Sequence, residues 1–457
     1  MIVMKFGGTS VEDANAIDRA AKIVKGRLAE GPFVVVSAMA KVTDQLLAMA
    51  AAAGSGELEK ALDLCLKLRE RHYHAAGELL GTGLHTDLHS ELAAEFDSLE
   101  QLLRGISAVG ELTPRTSDYV VSFGERLSSS IVTPAFVARD IPARLLDARH
   151  LILTDSQHGR AVPQVEEINH RLQVKARPLI ENDRVPVMGG FIGATREGVP
   201  TTIGRGGSDF SAALVGAGLN AERIEIWTDV DGMKTTDPRI CSDAHRIRVI
   251  SFEEAAELAY FGAKVLHPAT VLPAVEKNIP VLVLNSRNPA NEGTRILAHT
   301  ARSNCLFKAI AVKSRITIID IVSARMLMAH GFLAKVFEVF ARHRCAVDVV
   351  STSEVSVSLT VDSNEAIPQI AADLEDLGQV KYSGRQAIVC LVGESIRDTP
   401  GVAAQVFDAI RDINVRMISQ GASEINLTFV IDETRVPEVV KRLHARFFSE
   451  VDPEVFD

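Results

Sequence analysis

The chain has 457 residues, a length that favours two to four domains. Its residues are 47% hydrophobic and 24% charged, which is the composition of a globular protein. Its net charge of -10 argues against nucleic acid or an anionic membrane surface as the main partner. Five scattered cysteines without CxxC spacing exclude a disulfide framework and indicate a reducing compartment. No signal peptide or membrane helix is recognisable, so we expect a cytoplasmic protein without a membrane partner.

Short β-branched runs alternate with helical patterns over the first three hundred residues, which predicts an α/β fold with a mostly parallel or mixed sheet. Residues 57–110 are rich in Leu, Glu and Arg, and a Gly81-Thr82-Gly83 break divides them, so we predict a helical hairpin insertion. The predicted strands are Ile2–Phe6, Phe33–Ser37, Val185–Gly189, Thr201–Ile203, Arg223–Thr228 and Val281–Leu284.

An internal repeat begins near Leu306. Val336-Phe337-Glu338 returns seventy residues later as Val406-Phe407-Asp408, and Ser353–Asp362 returns as Ser423–Asp432. Each copy predicts the order strand, helix, strand, strand, helix. Two copies are too few for a solenoid, so paired α+β sensor domains fit the pattern better.

The first glycine-rich loop, Lys5 to Ser10, lies between the first predicted strand and the first helix. Glycines at such a junction let backbone amides approach an anion, and the preceding Lys5 can balance charge on a phosphoryl group in transit. A tight turn beside a surface lysine is the alternative interpretation. The loop is not a P-loop, because GxxxxGK[ST] is absent.

A second loop, Thr202 to Asp209, also follows a predicted strand and opens a helix from Phe210 to Leu219. We predict that the two junctions belong to one sheet and face each other across a cleft, each offering amides to anions. Arg205 suits a carboxylate. In one interpretation, the Asp209 carboxylate stabilises the helix through its favourable interaction with the helix dipole. In the other, it orients cationic groups around the phosphate.

Two further segments carry polar groups. In Trp227–Arg239 the Asp-x-Asp-Gly sequence does not fit a calcium loop, so we interpret the segment as a turn-rich, nucleotide-facing loop. Lys264, in Phe261–Pro268, can serve as a partner of a helix C-terminus or as a phosphate ligand. His72 and His74 point to different helix faces, and we predict no protein metal site.

Together these motifs resemble aspartate kinase. The resemblance rests on Lys5–Val11, Ser37–Asp44, Phe123–Ser128, Gly204–Asp209, Trp227–Arg239 and Phe261–Pro268, which occur in the family's order and cover nearly the whole chain. It implies an amino-acid-kinase α/β/α sandwich at 1–300 with the insertion at 57–110. It also implies ACT-type βαββαβ repeats at 310–383 and 384–457.

The resemblance implies ATP and Mg²⁺ as cofactors, L-aspartate as substrate and 4-phospho-L-aspartate as product, in the first step of the lysine, threonine and methionine pathway. The implied catalytic residues are Lys5, Asp209 and Lys264. The implied aspartate ligands are Thr43, Glu125, Arg205, Gly206 and Ser208, with Glu125 on the ammonium and Arg205 on a carboxylate. The implied ATP ligands are Lys5, Phe6, Gly7, Gly8, Ser10, Ser37, Thr228, Asp229, Lys234, Arg239, Lys264 and Val265.

This sequence departs from the family pattern in the kinase domain and in the first repeat. Ala40-Lys41 stand where a glycine is expected, so we expect the loop from Ser37 to Thr43 to sit differently. Lys234 replaces a common aromatic residue, so a ring contact to the nucleotide is lost. Met328 and Ala329 replace polar residues of lysine-inhibited members.

An effector site in the first repeat also follows from the resemblance, with lysine as the expected effector and a homodimer or higher oligomer formed through the repeats. Asp348 would meet the effector's ammonium. The implied residues are Met326, Ala329, Gly331, Phe332, Leu333, Asp348, Ser353 and Glu354. A repeat used only for dimerisation is the alternative.

The substrate's chemistry is consistent with these motifs. A carboxylate nucleophile with a pKa of about 3.9 is ionised at pH 7 and needs no general base, so positioning and charge neutralisation carry the transfer. Two alternatives stay open: a kinase of this type that acts on glutamate, acetylglutamate or carbamate, and a catalytically inactive amino-acid sensor.

Overall fold

The computed structural model describes residues 1–81, 86–204, 206–262, 270–300, 305–327 and 330–457. The chain forms two compact units. The first unit comprises Met1–Met233 and Val265–His299, and the second comprises Lys234–Lys264 and Thr300–Asp457. Within the described ranges, no helix is long and apolar enough to cross a membrane.

The helices and strands alternate through the first unit and return as two similar series in the second. In chain order they are β1 (Ile2–Phe6), α1 (Ala14–Lys25), β2 (Pro32–Val36), α2 (Val42–Gly54), α3 (Leu58–Leu80), α4 (Thr86–Val109), α5 (Pro114–Val137), β3 (Ala143–Leu146), α6 (Val165–Lys175), α7 (Arg177–Glu181), β4 (Val185–Gly189), β5 (Ile192–Ala194), β6 (Pro200–Thr202), α8 (Gly207–Leu219), β7 (Ile224–Thr228), β8 (Val249–Ser251), α9 (Phe252–Tyr260), α10 (Leu272–Glu276), β9 (Val281–Asn285), β10 (Thr294–Leu297), β11 (Ala309–Val322), α11 (Phe332–Arg342), β12 (Val347–Thr352), β13 (Ser356–Asp362), α12 (Ile367–Leu374), β14 (Gln379–Val392), α13 (Val402–Ala409), β15 (Met417–Gln420), β16 (Asn426–Asp432) and α14 (Val436–Phe447).

The first unit is built on a sheet in which the strand order is β3-β4-β2-β1-β7-β9-β10. The pairs from β3 to β9 are parallel, and β10 is antiparallel to β9. The central strands β1 and β2 are continuous apolar runs because both of their faces are buried. The predicted α/β fold with a mostly parallel sheet is confirmed.

The strand predicted at Thr201–Ile203 lies outside this sheet. It forms β6, which pairs antiparallel with β5 in a separate two-stranded sheet, with Thr202 opposite Ile192. Phe191 has a φ of +62°, and this left-handed residue redirects the chain directly after β4 and Gly190. The prediction that both glycine-rich junctions extend from one sheet is therefore wrong.

Helices α3 and α4 form the predicted hairpin insertion. Leu68, His72, Phe96 and Leu99 lie in its buried core, and the rings of His72 and Phe96 meet edge to face at 5.7 Å. His72 Nδ1 forms a hydrogen bond of 2.8 Å with the Leu68 carbonyl, and burial lowers the pKa of this imidazole to about 4. His72 thus serves as a neutral core residue.

The second unit carries an antiparallel sheet with the order β12-β13-β11-β14-β16-β15. The predicted element order of each repeat is confirmed, as β11-α11-β12-β13-α12 and then β14-α13-β15-β16-α14. The long strands β11 and β14 serve both copies. Ala309–Lys313 pairs with the half of β14 that also pairs with β16, whereas Ile316–Val322 pairs with both β13 and the first half of β14. Each copy is therefore completed by half a strand of the other.

Candidate active site

The carboxyl ends of the parallel strands β1, β2, β4 and β7 meet at one edge of the first sheet. Gly7 follows β1, Ser37 follows β2, Gly190 follows β4, and Asp229 follows β7. Ligands of open α/β sheets bind outside this edge. The structure therefore places Gly7, Ser37 and Asp229, which the sequence analysis singled out, along one edge.

Lys5 is the central cationic group at this edge. Its ammonium lies 2.7 Å from an oxygen of Asp209 in the first turn of α8, and both side chains are almost buried. The ion pair joins the end of β1 to the start of α8, so the two glycine-rich loops do face each other as predicted. Asp209 holds Lys5, which favours its orienting role over a role confined to the helix dipole.

Gly7 and Gly8 lie where other chain segments approach closely. A Cβ on Gly7 would stand 3.4 Å from the Trp227 carbonyl and 3.6 Å from Lys5 Nζ. A Cβ on Gly8 would stand 3.0 Å from the Ala38 carbonyl. The Gly7 amide donates to the Trp227 carbonyl (2.9 Å), which fixes the loop against β7. The glycines therefore keep the space beside the Lys5 ammonium open for a ligand.

Glu125, on α5, is a buried carboxyl at the same edge. Its Oε1 accepts a hydrogen bond from the Ala38 amide (3.1 Å), whereas its Oε2 has no hydrogen-bond partner among the described residues. Gly189 makes this position possible, because a Cβ there would stand 2.9 Å from Glu125 Cβ. Burial raises the pKa of Glu125 to about 8, against the opposing effects of the Ala38 amide and Lys5. Such a carboxyl is suited to a cationic ligand.

The loop after β2 has a left-handed residue at one of the two positions where the resemblance leads us to expect a glycine. Lys41 has a φ of +67°, a left-handed conformation that glycine adopts readily and other residues adopt at a cost. Lys41 therefore takes, at a cost, a conformation that would suit a glycine, and the expected difference in the position of the loop stays a prediction. Thr43 follows in the first turn of α2.

Ser10 has a different environment from the one expected of an ATP ligand. Its hydroxyl is buried and is hydrogen-bonded to the Trp227 carbonyl (3.2 Å) and to the Ser286 hydroxyl (2.7 Å). Ser286 also donates to the Thr228 carbonyl, through its amide and its hydroxyl. Ser10 and Ser286 thus tie together the ends of β1, β7 and β9. Sequence reasoning missed Ser286, because its partners are distant along the chain.

The remaining predicted ligands of the first unit lie in the adjoining strand ends and at the start of α8. Gly206, with a φ of +73°, caps α8, and Ser208 is buried in its first turn. Phe6 is a buried residue of β1, and its carbonyl accepts from the Ser37 amide (3.0 Å). Thr228 ends β7 and donates to Asp229 (3.3 Å).

Other predicted ligands belong to the second unit or lie outside the described residues. In the second unit, the Arg239 guanidinium is held by the Asp237 carboxylate (2.6 Å) and is otherwise exposed, whereas the backbone of Lys234 forms a bridge with that of Arg246. Arg205, Lys264 and Val265 lie outside the described residues.

Asp118 is a further buried carboxylate that the sequence analysis missed. It accepts hydrogen bonds from the Thr202 hydroxyl (2.6 Å), the Gly159 amide (2.9 Å) and His158 Nδ1 (2.9 Å). It lies seven residues before Glu125 on α5, so the two carboxyls share one helix face. Asp118 thus anchors the end of β6, which leads into the second glycine-rich loop. That heptad spacing was the available signal.

The predicted effector residues of the second unit surround the start of α11 and the turn between β12 and β13. Gly331 caps α11 with a φ of +77°, Phe332 is buried, and Leu333 is exposed. Ser353 is hydrogen-bonded to Ser356 across the turn (2.6 Å). The others are Met326, in a 3-10 turn, and Glu354, which is exposed, while Met328 and Ala329 lie outside the described residues.

Asp348 already has a cationic partner within the unit. Lys313 Nζ, on β11, donates to both Asp348 oxygens at 2.8 Å, and the Tyr260 hydroxyl donates to one of them at 2.9 Å. Only 3% of the Asp348 side chain is exposed. Lys313 also contacts Asp362 at 3.0 Å. The predicted ammonium-binding carboxylate is thus satisfied by a lysine of the chain itself, which sequence reasoning missed.

Comparison with known proteins agrees with this architecture. The amino acid kinase family matches residues 1–285, and an ACT domain family matches residues 319–368 and 389–447. The lysine-sensitive aspartokinase 3 of Escherichia coli is 37% identical over 462 residues, which cover 98% of this chain and 99% of that protein.

Two crystal structures of E. coli aspartokinase III are similar over the same extent. The complex with aspartate and ADP, in the R-state, has a TM-score of 0.84 at 36% identity and covers 98% of this chain and 100% of that one. The complex with lysine and aspartate, in the T-state, has a TM-score of 0.84 at 37% identity and covers 98% and 99%. With this full-length similarity and the matching domain families, the chain belongs to the amino acid kinase family and, within it, to the aspartokinases.

Proposed function

We propose that this protein is an aspartate kinase that transfers the γ-phosphoryl group of ATP to the β-carboxylate of L-aspartate. The observation that carries the proposal is the convergence of Lys5, the Gly7–Gly8 loop, Glu125 and the start of α8 at one sheet edge. The aspartokinase relative of known structure that binds aspartate and ADP supports the same substrates.

Each described group has a distinct task in this proposal. The substrate's α-ammonium binds the unpartnered oxygen of Glu125, and Arg205, by resemblance, binds a substrate carboxylate. The ionised β-carboxylate attacks the γ-phosphorus, a new O–P bond forms, and the bond to the β-phosphate oxygen breaks, so that ADP leaves. The Lys5 ammonium, held by Asp209, neutralises charge that develops on the phosphoryl oxygens. The product is 4-phospho-L-aspartate.

Mg²⁺ fits this site as a partner of the nucleotide. Among the described residues, no group of three His, Cys, Asp or Glu side chains is arranged to hold a metal ion. Mg²⁺ commonly binds through substrate phosphates with few protein ligands. We propose that Mg²⁺, when bound to the ATP phosphates, would supply charge neutralisation, while Asp209 stays engaged with Lys5.

Lysine is the proposed feedback inhibitor, in line with the lysine-sensitive relative. Because Lys313 occupies Asp348, the effector's ammonium would take the place of the Lys313 ammonium, and Lys313 would keep Asp362 as its partner. A dimer or higher oligomer, the cytoplasmic location and a supply of threonine and methionine precursors remain predictions from the sequence. Light scattering of the purified protein tests the oligomeric state.

Trapping of the acyl phosphate with hydroxylamine tests the proposed reaction. Purified protein with ATP, Mg²⁺ and L-aspartate should give aspartyl hydroxamate, and lysine should suppress it. Lys5→Ala is the matched negative control. Hydroxamate with glutamate instead would indicate a sister kinase, and the absence of hydroxamate with any of the candidate carboxylates would favour the inactive sensor.

A further inference from the structure

Arg71 connects the helical insertion to the active-site loops. It lies on α3, and its guanidinium donates to two backbone carbonyls, that of Ala40 (2.8 Å) and that of Glu12 (3.0 Å). The two acceptors belong to different loops. Glu12 follows the glycine-rich loop after β1, and Ala40 lies in the loop after β2 that leads to Thr43. One side chain of the insertion therefore reaches both loops.

The two loops also meet directly at the point where Arg71 binds. The Ala40 amide donates to the Gly8 carbonyl (3.1 Å), while the Ala40 carbonyl accepts a hydrogen bond from Arg71. A Cβ on Gly8 would stand 3.0 Å from the Ala38 carbonyl, and the Ala38 amide in turn donates to Glu125. Gly8, Ala38 and Ala40 thus connect the glycine-rich loop after β1 to Glu125, the carboxyl that we propose binds the substrate's ammonium.

The loop from Ser37 to Thr43 contains a strained residue. Lys41, directly after Ala40, has a φ of +67°. A non-glycine residue keeps this conformation only where its surroundings determine it. The planar guanidinium presents its donors in a fixed fork, so Arg71 holds the two carbonyls with a set relative orientation, which the flexible, freely rotating ammonium of a lysine does not impose. Arg71 is therefore placed to hold the peptide between Ala40 and Lys41 in its strained orientation.

We infer that Arg71 is a positioning residue for phosphoryl transfer. It fixes the glycine-rich loop after β1 relative to the loop from Ser37 to Thr43. The inference rests on the proposed function and gives the helical insertion a role in it. Small displacements of reacting groups have large kinetic effects, so the loss of this connection should reduce catalysis more than it reduces stability.

Arg69 provides a matched control two residues earlier on the same helix. Its guanidinium forms an ion pair with Asp97 on α4 and lies 5.6 Å from the centre of the Phe96 ring. These contacts stay inside the hairpin. Arg69→Ala therefore removes an arginine and an ion pair from α3 without touching either active-site loop.

The test compares steady-state kinetics and thermal unfolding of Arg71→Ala and Arg69→Ala. Arg71→Ala should lower kcat/KM by about 10- to 100-fold, with raised KM values for ATP and aspartate, because both loops lose their common anchor. The kcat/KM of Arg69→Ala should stay within about twofold of that of the parent, although its melting temperature should fall about as much as that of Arg71→Ala. Equal kinetic losses in the two variants, or unchanged constants in Arg71→Ala, would overturn the inference.

A second-site substitution separates loop positioning from general damage. Adding Lys41→Gly to Arg71→Ala relieves the strain that Arg71 holds, so kcat/KM should recover at least about threefold relative to Arg71→Ala. No recovery would contradict the role.

Nucleotide affinity gives a readout that does not depend on turnover. The chain has one tryptophan, Trp227, and its carbonyl binds the Gly7 amide. ADP titrated against its fluorescence should bind more weakly to Arg71→Ala than to Arg69→Ala. Equal affinities in the two variants would overturn the inference even if the parent fails to phosphorylate aspartate, whereas weaker binding by Arg71→Ala would support it and leave only the proposed reaction in doubt.

Discussion

The two units each contain a largely buried lysine–aspartate pair, and the two pairs differ in which partner is available to a ligand. In the first unit, Asp209 holds Lys5 at 2.7 Å beside a glycine-lined space, so the lysine faces the ligand. In the second, Lys313 covers Asp348 at 2.8 Å, and Tyr260 takes up further hydrogen-bonding capacity of the carboxylate. The first pair presents its functional group, whereas the second covers it.

The difference corresponds to two kinds of site. A catalytic group works best when it is already in position, because reorganisation during the reaction adds to the barrier. A regulatory group that must first exchange an internal partner can have two states, and a ligand shifts the protein between them by its differential affinity. In this interpretation, the ion pair between Lys313 and Asp348 defines the effector-free state.

Replacement of Lys5 should have the largest effect. Lys5→Ala removes the ammonium that balances phosphoryl charge, so kcat should fall by about a thousandfold or more. Asp209 would remain as an unpaired, almost buried carboxylate, so Lys5→Met/Asp209→Asn is the variant that separates catalysis from misfolding. Hydroxamate formation measures turnover, and near-parental turnover in either variant would contradict the role of Lys5.

Replacement of Lys313 should have a smaller effect, and it should strengthen inhibition by lysine. Lys313→Met leaves Asp348 with Tyr260 alone, so an effector's ammonium gains an uncontested buried carboxylate. The lysine concentration for half-inhibition should fall about tenfold, which corresponds to about 1.4 kcal/mol of binding free energy. Inhibition curves at fixed aspartate check this. A rise in that concentration would mean that Lys313 helps to bind the effector.

The pH dependence of the KM for aspartate should reveal the titration of Glu125. The pKa of Glu125 is raised to about 8, so the free enzyme carries a proton there at pH 7 that the substrate's ammonium must displace. The KM for aspartate should therefore fall as pH rises from 7 to 9, by up to about tenfold. Glu125→Gln should abolish this dependence at a higher KM, whereas a parental pH profile in that variant would assign the titration to another group.

The same shift affects the stability of the ligand-free protein. Between the ordinary pKa of a glutamate, 4.5, and about 8, the folded state binds the Glu125 proton more tightly than the unfolded state does. The contribution of this group to the free energy of unfolding therefore decreases as pH rises through that window. Denaturant unfolding of the parent and Glu125→Gln at pH 6 and pH 8 measures the difference, and an equal change in both proteins would contradict it.

Substitution of Lys41 should have the smallest effect. Lys41→Gly removes the left-handed strain, so the free energy of unfolding should rise by about 0.5–1 kcal/mol, partly offset by the greater freedom of glycine in the unfolded chain. Urea denaturation measures this change. A clear loss of stability would show that the Lys41 side chain makes a stabilising contact that outweighs the strain.

Local patterns in the sequence predict the groups that lie next to a strand end or a helix start. Lys5, Gly7, Gly8 and Asp209 follow from two glycine-rich junctions, and the repeated element order of the second unit follows from seventy-residue similarity. The expectation of a glycine in the Ser37–Thr43 loop comes from the family resemblance and not from a local pattern, and it corresponds to the left-handed Lys41.

The contacts that connect distant segments could not be predicted in this way. Arg71 reaches Ala40 and Glu12 from another helix, and Lys313 reaches Asp348 from a strand of the same sheet, 35 residues away. Neither residue differs from an ordinary surface cation in hydrophobic periodicity, because the periodicity reports burial and says nothing of the partner.

The role of the covered carboxylate is tested most directly by Asp348→Asn, in which Lys313 keeps Asp362 as a partner. The measurement is the lysine inhibition curve of this variant beside that of the parent, with kcat and the KM for aspartate determined in the same preparations. We expect parental kcat and KM together with a loss of inhibition. Unchanged inhibition would place the effector's ammonium elsewhere, and a large fall in kcat with inhibition retained would contradict the division between the two pairs.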